Sequence, residues 1–180
     1  MHGSSLENMK RFRDKYLHDK GTVLDIGSQD INGTYKHLFK GWNYKGLDVC
    51  PGSNVDIVVK DAYHWTEVES SSYDVVISGQ AFEHIEFPWL TINEVARVLK
   101  AGGLCCIIAP SSGPIHYAPE GKDCWRFLPD GLAALAVWAK LEVLESYIGW
   151  ESIKNAEDDQ WKDAVLICRL RPYTPGIVGI

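Results

Sequence analysis

The stretch VLDIGSQDINGTY, Val23–Tyr35, decides how this chain folds. Its first residues are mostly apolar and predict a buried strand over Thr22–Ile26, with Asp25 inside the apolar run. Gly27 ends the strand and allows a ligand to approach the backbone closely. A turn and then a helix near Asn32-Gly33 are predicted to follow, and the first turn of a helix leaves backbone N–H groups free. The stretch therefore predicts a strand, a ligand-binding turn and a helix.

The same alternation of strand and helix patterns continues along the chain. Further β-rich apolar runs predict strands at Tyr44–Val49, Val55–Val59, Tyr73–Ser78 and Leu104–Ala109. Apolar residues at helical spacing predict four helices. The first starts at a capping box formed by Ser4 and Glu7, the second covers Tyr35–Phe39, the third runs from Ile92 to a stop at Gly102-Gly103, and the fourth covers Leu132–Ala139. This order predicts an α/β fold, a parallel sheet covered by helices on both faces. Residues 141–150 and 163–170 predict an antiparallel hairpin that closes one edge.

Length and composition narrow the class of protein. The 180 residues predict one domain, with an N-terminal helix in 1–20, a core in 21–171 and an irregular tail in 172–180. The longest apolar run, Leu132–Ala139, is far shorter than the ~20 residues that span a bilayer, and no signal peptide is recognisable, so we expect a cytoplasmic protein without a membrane partner. The net charge of −6, without a basic cluster, argues against nucleic acid. The five cysteines lack metal-ligand spacing, so no metal is expected.

Acidic residues stand at the ends of three neighbouring strands. Asp25 lies in the first strand, Asp48 ends the second and Asp61 follows the third, and ligands of such sheets bind at these carboxyl ends. Asp48 follows Asp25 by 23 positions, close to the ~20-residue offset of an acid that binds ribose hydroxyls. A cluster of acids disfavours a pyrophosphate, and Gln29 and Asn32 replace two glycines of the dinucleotide-binding motif. The pattern favours a nucleoside with a positively charged tail.

The sequence resembles the class I S-adenosylmethionine-dependent methyltransferases, of the small type-11 kind. The resemblance rests on VLDIGSQ, YKGLDV, VVKDAYHW, YDVVISGQAFEHI and NEVARVLKAGGLCCIIAP, and covers Thr22 to Arg169. It implies a Rossmann-like three-layer sandwich with a seven-stranded, mostly parallel sheet in the order 3-2-1-4-5-7-6 and an antiparallel last strand. It also implies methyl transfer from S-adenosyl-L-methionine, with S-adenosyl-L-homocysteine as product.

The resemblance also implies positions for the cofactor. Asp25 and Gly27 would lie by the methionine portion, Asp48 by the ribose and Asp61-Ala62 by the adenine, while the Ser78 carbonyl would accept a hydrogen bond from the methionine amine. The family usually has further glycines after Gly27, and this chain has Gln29 and a remodelled turn there. The complete set of predicted cofactor-binding residues is Asp25, Gly27, Ser28, Gln29, Asp48, Val49, Asp61, Ala62, Ser78, Gly79 and Gln80.

Two histidines and one acid are candidate catalytic residues. Methyl transfer from a sulfonium disperses charge, so positioning should supply most of the acceleration. An oxygen acceptor also needs a base, whereas a free amine needs none. His84, after the fourth strand, and His116, in the long loop after the fifth, are the candidate bases, and Asp123 would orient His116 or act itself. Alternatively, His84 is a helix-start residue bonded to the backbone and His116 is a solvated loop residue.

The loop after the fifth strand directs the expectation about the substrate. Its segment DCWRFLPDGL resembles one in small bacterial methyltransferases of glycan pathways, and the loop is rich in aromatic residues. We therefore expect O-methylation of a small molecule or a glycan hydroxyl. The alternatives are an N-methyltransferase of a small amine, a catalytically silent methyltransferase-like binding module and a nicotinamide-dependent dehydrogenase, the last disfavoured by the missing glycines. The short chain leaves room for a homodimer or a partner subunit to complete the acceptor pocket.

Overall fold

The computed structural model describes residues 3–117, 122–149 and 161–172. Its helices and strands, in chain order, are α1 (Gly3–Tyr16), β1 (Thr22–Ile26), β2 (Asn43–Asp48), β3 (Ile57–Val58), β4 (Tyr73–Gly79), α2 (Pro88–Val98), β5 (Leu99–Ser112), α3 (Pro129–Trp138), β6 (Glu142–Ile148) and β7 (Lys162–Arg169), with short 3-10 helices at Lys36–Phe39 and Phe82–His84. Most of the predicted tail and of the polar stretch before β7 lies outside the described residues.

The seven strands form one sheet in the order β3-β2-β1-β4-β5-β7-β6. β1 pairs in parallel with β2 and β4, β5 in parallel with β4, and β7 antiparallel with both β5 and β6. The expected α/β fold, the strand order and the antiparallel last strand are therefore confirmed. The hairpin of β6 and β7 also forms at the edge where the sequence predicts it.

Neighbouring residues of a strand point to opposite sides of the sheet, and an apolar cluster buries each side. Val23 of β1 belongs to the apolar cluster that includes Met9 and Phe12 of α1. The next residue, Leu24, belongs to the cluster on the other face, which includes Ile92 of α2. Strands covered on both faces are almost continuously apolar, which explains runs such as VVIS in β4 and CCIIA in β5.

The prediction of a helix after β1 is wrong. Residues 27–42 contain only one 3-10 turn, Lys36–Phe39, so no helix begins near Asn32-Gly33. The Asp30 side chain accepts a hydrogen bond from the Gly33 N–H (2.8 Å), and such local bonds compete with helix formation. Gly33 then has φ +124° and Gly41 has φ +85°, which confines any helix to the seven residues between them. The predicted apolar residue Phe39 is nevertheless buried.

Three smaller predictions also change. Ser4 does not cap α1, because the helix already includes Gly3 and the Ser4 hydroxyl donates to Asp163 of β7 (2.7 Å). α2 ends before the predicted glycine stop, since Leu99 pairs with Tyr73 as the first residue of β5. The third strand keeps only two residues. Among the described residues, no helix is long and apolar enough to cross a membrane.

Candidate active site

A cavity of about 450 Å³ opens at the carboxyl ends of β1, β2 and β4. β1 lies between β2 and β4, so the strand order reverses at this point of the sheet. Ligands of open α/β sheets bind at such a reversal, outside the carboxyl ends of the strands. The walls come from the turn after β1, the end of β2, the segment after β3 and the segment after β4. Of the predicted site residues, those that line the cavity are Asp25, Gly27, Ser28, Gln29, Asp48, Val49, Ala62, Gly79, Gln80 and His84.

Four predicted site residues do not line the cavity. The Asp61 carboxylate accepts a hydrogen bond from the Tyr63 N–H (2.8 Å), and its neighbours, not its own side chain, form the wall. Ser78 is fully buried and its hydroxyl donates to the Ile26 carbonyl (3.0 Å), which ties β4 to β1. His116 and Asp123 stand on the loop behind His84, outside the cavity wall. No ligand tests these roles, so the site residues stay predictions.

Two glycines allow neighbouring side chains to pack directly against the backbone of the cavity wall. Gly27 has φ +69°, a left-handed conformation, and a Cβ there would overlap the Cβ of Ala81. A Cβ on Gly79 would overlap the Tyr35 hydroxyl and lie 2.6 Å from its Cζ. Larger residues at either position would therefore displace a neighbour that forms part of the site.

Asp48 presents a fixed carboxylate at the end of β2. One oxygen accepts hydrogen bonds from the N–H groups of Val49 (2.8 Å) and Cys50 (3.2 Å), and the other accepts from Gln29 (3.1 Å). An ionised carboxylate has about four acceptor positions, so it can accept further hydrogen bonds from a ligand. The remodelled turn that carries Gln29 thus helps to hold the acid that the sequence assigns to the ribose.

Asp25 is a buried carboxyl group in the floor of the cavity. Its side chain is held by a hydrogen bond from the Tyr44 hydroxyl, and the residue is only 3% exposed. Burial raises the pKa of Asp25 to about 7; the Tyr44 bond lowers that pKa and the charge of Asp48 raises it. A positively charged ligand beside Asp25 would favour its ionised form.

Polar contacts tie α1 and β7 to the wall of the cavity. Gln80, at φ +59°, donates from Nε2 to Asp163 of β7 (2.9 Å), the same carboxylate that accepts from Ser4. The hydroxyl groups of Ser5 and Tyr35 are 2.5 Å apart, and both residues are buried. The N-terminal helix therefore supports the side of the site where Tyr35 and Gln80 line the cavity.

Glu83, His84 and His116 come together at the end of the cavity beyond β4, and we call them the Glu83 cluster. The Nε2 atoms of His84 and His116 lie 3.7 Å and 4.0 Å from Oε1 of Glu83, and the two imidazole rings are 5.0 Å apart. Glu83 is 0% exposed. Neither of its carboxylate oxygens has a well-formed hydrogen bond from any described residue. Burial raises the pKa of Glu83 to about 8, partly offset by its own backbone amide.

The sequence interpretation missed Glu83. The residue precedes His84 in the motif QAFEHIE, and the available signal was an acid directly beside a candidate base at the end of β4. Its burial depends on the loop after β5, because the N–H groups of Cys124 and Trp125 donate to the Glu83 carbonyl (2.7 Å and 3.1 Å). Those residues lie about 40 positions away, so sequence pattern could not reveal the contact.

Asp123 organises the loop that carries His116. Its carboxylate accepts two hydrogen bonds from Arg126 (2.5 Å and 2.7 Å) and one from the His116 N–H (2.8 Å). Arg126 is the main reason why the pKa of Asp123 lies well below its usual range. A carboxylate with a lowered pKa is a weak base, so these contacts favour the orienting role predicted for Asp123 over proton transfer.

Comparison with known proteins agrees, over part of the chain, with the family resemblance seen in the sequence. Residues 24–107 match the family model of the methyltransferase domain, whose cofactor is S-adenosylmethionine. No curated protein matches the sequence significantly. The matched segment starts in β1 and ends in β5, and it includes the segment after β4 and every residue that lines the cavity except Lys122.

Solved structures with the same fold are distant in sequence. A Methanosarcina mazei S-adenosylmethionine-dependent methyltransferase is 16% identical, with a TM-score of 0.68 over 89% of this chain and 97% of that one. The Burkholderia thailandensis 1,6-didemethyltoxoflavin-N1-methyltransferase, solved with bound 1,6-didemethyltoxoflavin and S-adenosylhomocysteine, is 14% identical, with a TM-score of 0.72 over 93% and 78%. Phosphoethanolamine N-methyltransferase 2 of Haemonchus contortus, with S-adenosylmethionine, is 15% identical, with a TM-score of 0.64 over 93% and 52%. At these identities the likeness shows the Rossmann-like fold alone.

Proposed function

We propose that the chain transfers a methyl group from S-adenosylmethionine to an oxygen of a small molecule or a glycan, since residues 24–107 match the methyltransferase domain model. The observation that carries the proposal is the pair of carboxylates, Asp25 and Asp48, in one cavity at the switch point of the sheet. The cofactor offers two ribose hydroxyls, which donate hydrogen bonds, and an amine and a sulfonium, which are positively charged. The two acids match these groups and would repel a pyrophosphate.

In this proposal each part of the cofactor lies against one wall of the cavity. The ribose hydroxyls donate to Asp48, and the adenine lies between Val49 and the Asp61-Ala62 segment. The methionine portion lies over Gly27, with its amine attracted to Asp25 and to the backbone of Ser78, Gly79 and Gln80. This direction places the methyl group toward the end of the cavity where His84 stands.

The groups at that end favour an oxygen acceptor. A hydroxyl loses its proton as it attacks, and His84 or His116 would take it up, with Asp123 holding the loop of His116 in place. A free amine would need no such group. Phe87, Trp89 and Trp125 form a half-exposed aromatic row beside the same segment, with successive ring centroids 5.7 Å and 6.3 Å apart. Exposed aromatic faces of this kind can pack against the apolar face of a sugar ring.

Methylation of an amine nitrogen is the second candidate. Two of the solved structures with this fold are named as N-methyltransferases, one of a toxoflavin precursor and one of phosphoethanolamine. A fold of this kind hosts several reactions, so the acceptor must be identified by its chemistry rather than by the fold.

Calorimetric titration with S-adenosylmethionine tests the cofactor half of the proposal. We expect micromolar binding by the native chain and by the exposed-site control Asp19→Ala. Asp48→Ala should bind at least about 10-fold more weakly, because hydrogen bonds to a charged group contribute about 1.5–3 kcal/mol. A native chain that does not bind the cofactor, or an Asp48→Ala variant that binds equally well, would contradict the assignment.

Transfer of labelled methyl groups tests the acceptor half. The native chain is incubated with labelled cofactor and with matched panels of polyols, oligosaccharides and primary amines. Label in the hydroxyl compounds supports O-methylation, and label only in the amines shows that the acceptor is nitrogen. Tight cofactor binding without transfer to any compound of either panel would favour the catalytically silent binding module.

A further inference from the structure

We propose that Glu83, His84 and His116 bind one divalent transition-metal ion, with Zn²⁺ as the reference ion, at the acceptor end of the cavity. The inference departs from the expectation, drawn from the cysteine spacing, that the protein holds no metal. Binding of the ion rests on the geometry of the Glu83 cluster itself. Only the role of the ion in catalysis rests on the proposed function.

The three side chains supply a ligand set suited to such an ion. Two imidazole nitrogens and one carboxylate oxygen lie within 4.8 Å of one another. Around a tetrahedral Zn²⁺, with bonds of about 2.0–2.1 Å, ligand atoms are about 3.4 Å apart. The distances from Glu83 to the two histidines, 3.7 Å and 4.0 Å, therefore need to close by only about half an ångström. Imidazole ligands favour Zn²⁺ and its neighbours over Mg²⁺ or Ca²⁺.

The Glu83 carboxyl group is the independent observation that points to a cation. It is fully buried, and neither oxygen has a well-formed hydrogen bond from a described residue. Burying a carboxylate without partners is costly, and most buried acids are paired or coordinate a metal. The Nε2 atoms of His84 and His116 lie 3.7 Å and 4.0 Å from Oε1 of Glu83, so an ion placed between the three side chains would bind to all of them.

The surrounding contacts orient the two imidazoles toward Glu83. Nδ1 of His84 is 2.7 Å from the Lys122 carbonyl, which can only accept, so Nδ1 donates and Nε2 is the nitrogen that faces Glu83. Metal-binding histidines commonly donate their second N–H in this way. On the other ring, Nδ1 of His116 faces Asp123 (3.8 Å) and the ring packs edge-on against Trp161, with 5.0 Å between centroids.

The position of His84 suggests what the ion would do. Three protein ligands leave a fourth coordination position open, as in catalytic rather than structural zinc sites. His84 also lines the cavity, so an ion bound by His84 would lie next to the wall of the predicted acceptor end. A metal ion lowers the pKa of a bound hydroxyl group and so does the work that a histidine base would do in the metal-free chain.

The reaction then balances without a further reactant. The metal-bound hydroxyl releases its proton to solvent, and its oxygen forms a bond to the methyl carbon. The carbon–sulfur bond breaks, and its electron pair stays on sulfur and neutralises the sulfonium. S-adenosylhomocysteine and the methyl ether are the products.

Zinc titration of the full chain, freed of any affinity tag and stripped with a chelator, tests the site. We expect one Zn²⁺ per chain with micromolar or tighter affinity in calorimetry, and a Co²⁺ derivative with the visible absorption of a four- or five-coordinate ion. His84→Ala and His116→Ala should bind at least 10-fold more weakly. His37→Ala removes an exposed histidine of the 3-10 turn and should bind as the native chain does.

Glu83→Gln keeps the volume of the side chain and removes its charge, and it should also weaken binding at least 10-fold. Circular dichroism checks that each variant is folded, and if Glu83→Gln does not fold, the two histidine variants decide. A native chain that takes up no Zn²⁺, or His84→Ala and His116→Ala variants that bind Zn²⁺ as tightly as the native chain, would overturn the site.

Cofactor titration in the presence and absence of Zn²⁺ separates this inference from the proposed function. A chain that binds Zn²⁺ through the cluster but does not bind S-adenosylmethionine keeps the metal site and loses the methyltransferase assignment. A chain that binds and transfers methyl groups equally well before and after metal removal, with no Zn²⁺ uptake, keeps the function and loses the site.

Discussion

Replacing Asp25 with Asn should stabilise the ligand-free protein above pH 7 and weaken its affinity for S-adenosylmethionine. The buried carboxyl accepts a hydrogen bond from Tyr44, and Asn can still accept that bond through its side-chain oxygen. The substitution therefore removes the charge and leaves the shape nearly unchanged. If the acid is present for the positively charged cofactor, its ionisation should cost stability when the cofactor is absent.

The raised pKa of Asp25 sets the size of the expected change in the free energy of unfolding. An increase from the ordinary 3.8 to about 7 corresponds to about 4 kcal/mol, at about 1.4 kcal/mol for each tenfold change in proton affinity. Between these pH values the folded state holds a proton that the unfolded state has lost. The contribution of Asp25 to the free energy of unfolding is therefore complete below about pH 4, falls as the pH rises, and is lost above about pH 7.

Urea unfolding of the native chain and of Asp25→Asn from pH 4 to pH 8.5 measures this contribution. The two free energies of unfolding should be similar near pH 4 and differ by about 2–4 kcal/mol in favour of the variant at pH 8. The exposed-site control Asp19→Asn should follow the native curve. A variant that is no more stable than the native chain at pH 8, or a difference that does not change with pH, would refute the reasoning.

The ionisation of Asp25 should also change the affinity for the cofactor with pH. Because a bound cation favours the ionised carboxylate, the affinity of the native chain for S-adenosylmethionine should rise as the pH increases toward 7 and level off above it. Asp25→Asn should bind more weakly and without this rise. A native affinity that is constant from pH 5.5 to pH 8 would show that the carboxyl does not face the charged part of the cofactor.

Two further substitutions test the packing of the site. Gly79→Ala should lower the free energy of unfolding in urea by about 1–3 kcal/mol, because its methyl group overlaps Tyr35. The control Gly131→Ala in α3, where nothing lies within 4 Å of the added carbon, should raise it by about 0.5–1 kcal/mol. Equal effects of the two substitutions would contradict the crowding at Gly79. Asp123→Asn weakens the bidentate pair with Arg126 and should lower stability by about 1–3 kcal/mol above pH 5. Since the pKa of Asp123 is lowered in the fold, this difference should shrink as the pH falls below about 4, and a difference that persists there would refute the assignment.

The sheet could be predicted from the sequence because its signals are local. Apolar runs that end in Gly or Asp mark β1, β2 and β4, and their alternation with helix patterns leaves few topologies. The strand order itself came from the family resemblance. The helix after β1 was wrong because a single side chain, Asp30, bonds to the Gly33 backbone and turns the chain. The spacing of apolar residues gives no sign of that competing hydrogen bond.

The site could be predicted only in part. Positions at strand ends identify Asp25 and Asp48, since the sheet brings these ends to one edge whatever the details of packing. Glu83 required knowledge of burial, which arises when residues 122–127 fold back over the segment after β4. The contact of His116 with that acid is likewise a contact between distant segments, so its sequence position indicated function without indicating a partner.

A crystal structure of the protein with S-adenosylhomocysteine tests the central claim most directly. The account predicts that the ribose hydroxyls lie within 2.5–3.2 Å of the Asp48 carboxylate, with the methionine amine beside Asp25 and the sulfur directed toward His84. A nucleoside bound outside this cavity, or an Asp48 side chain that makes no contact with the ribose, would contradict it.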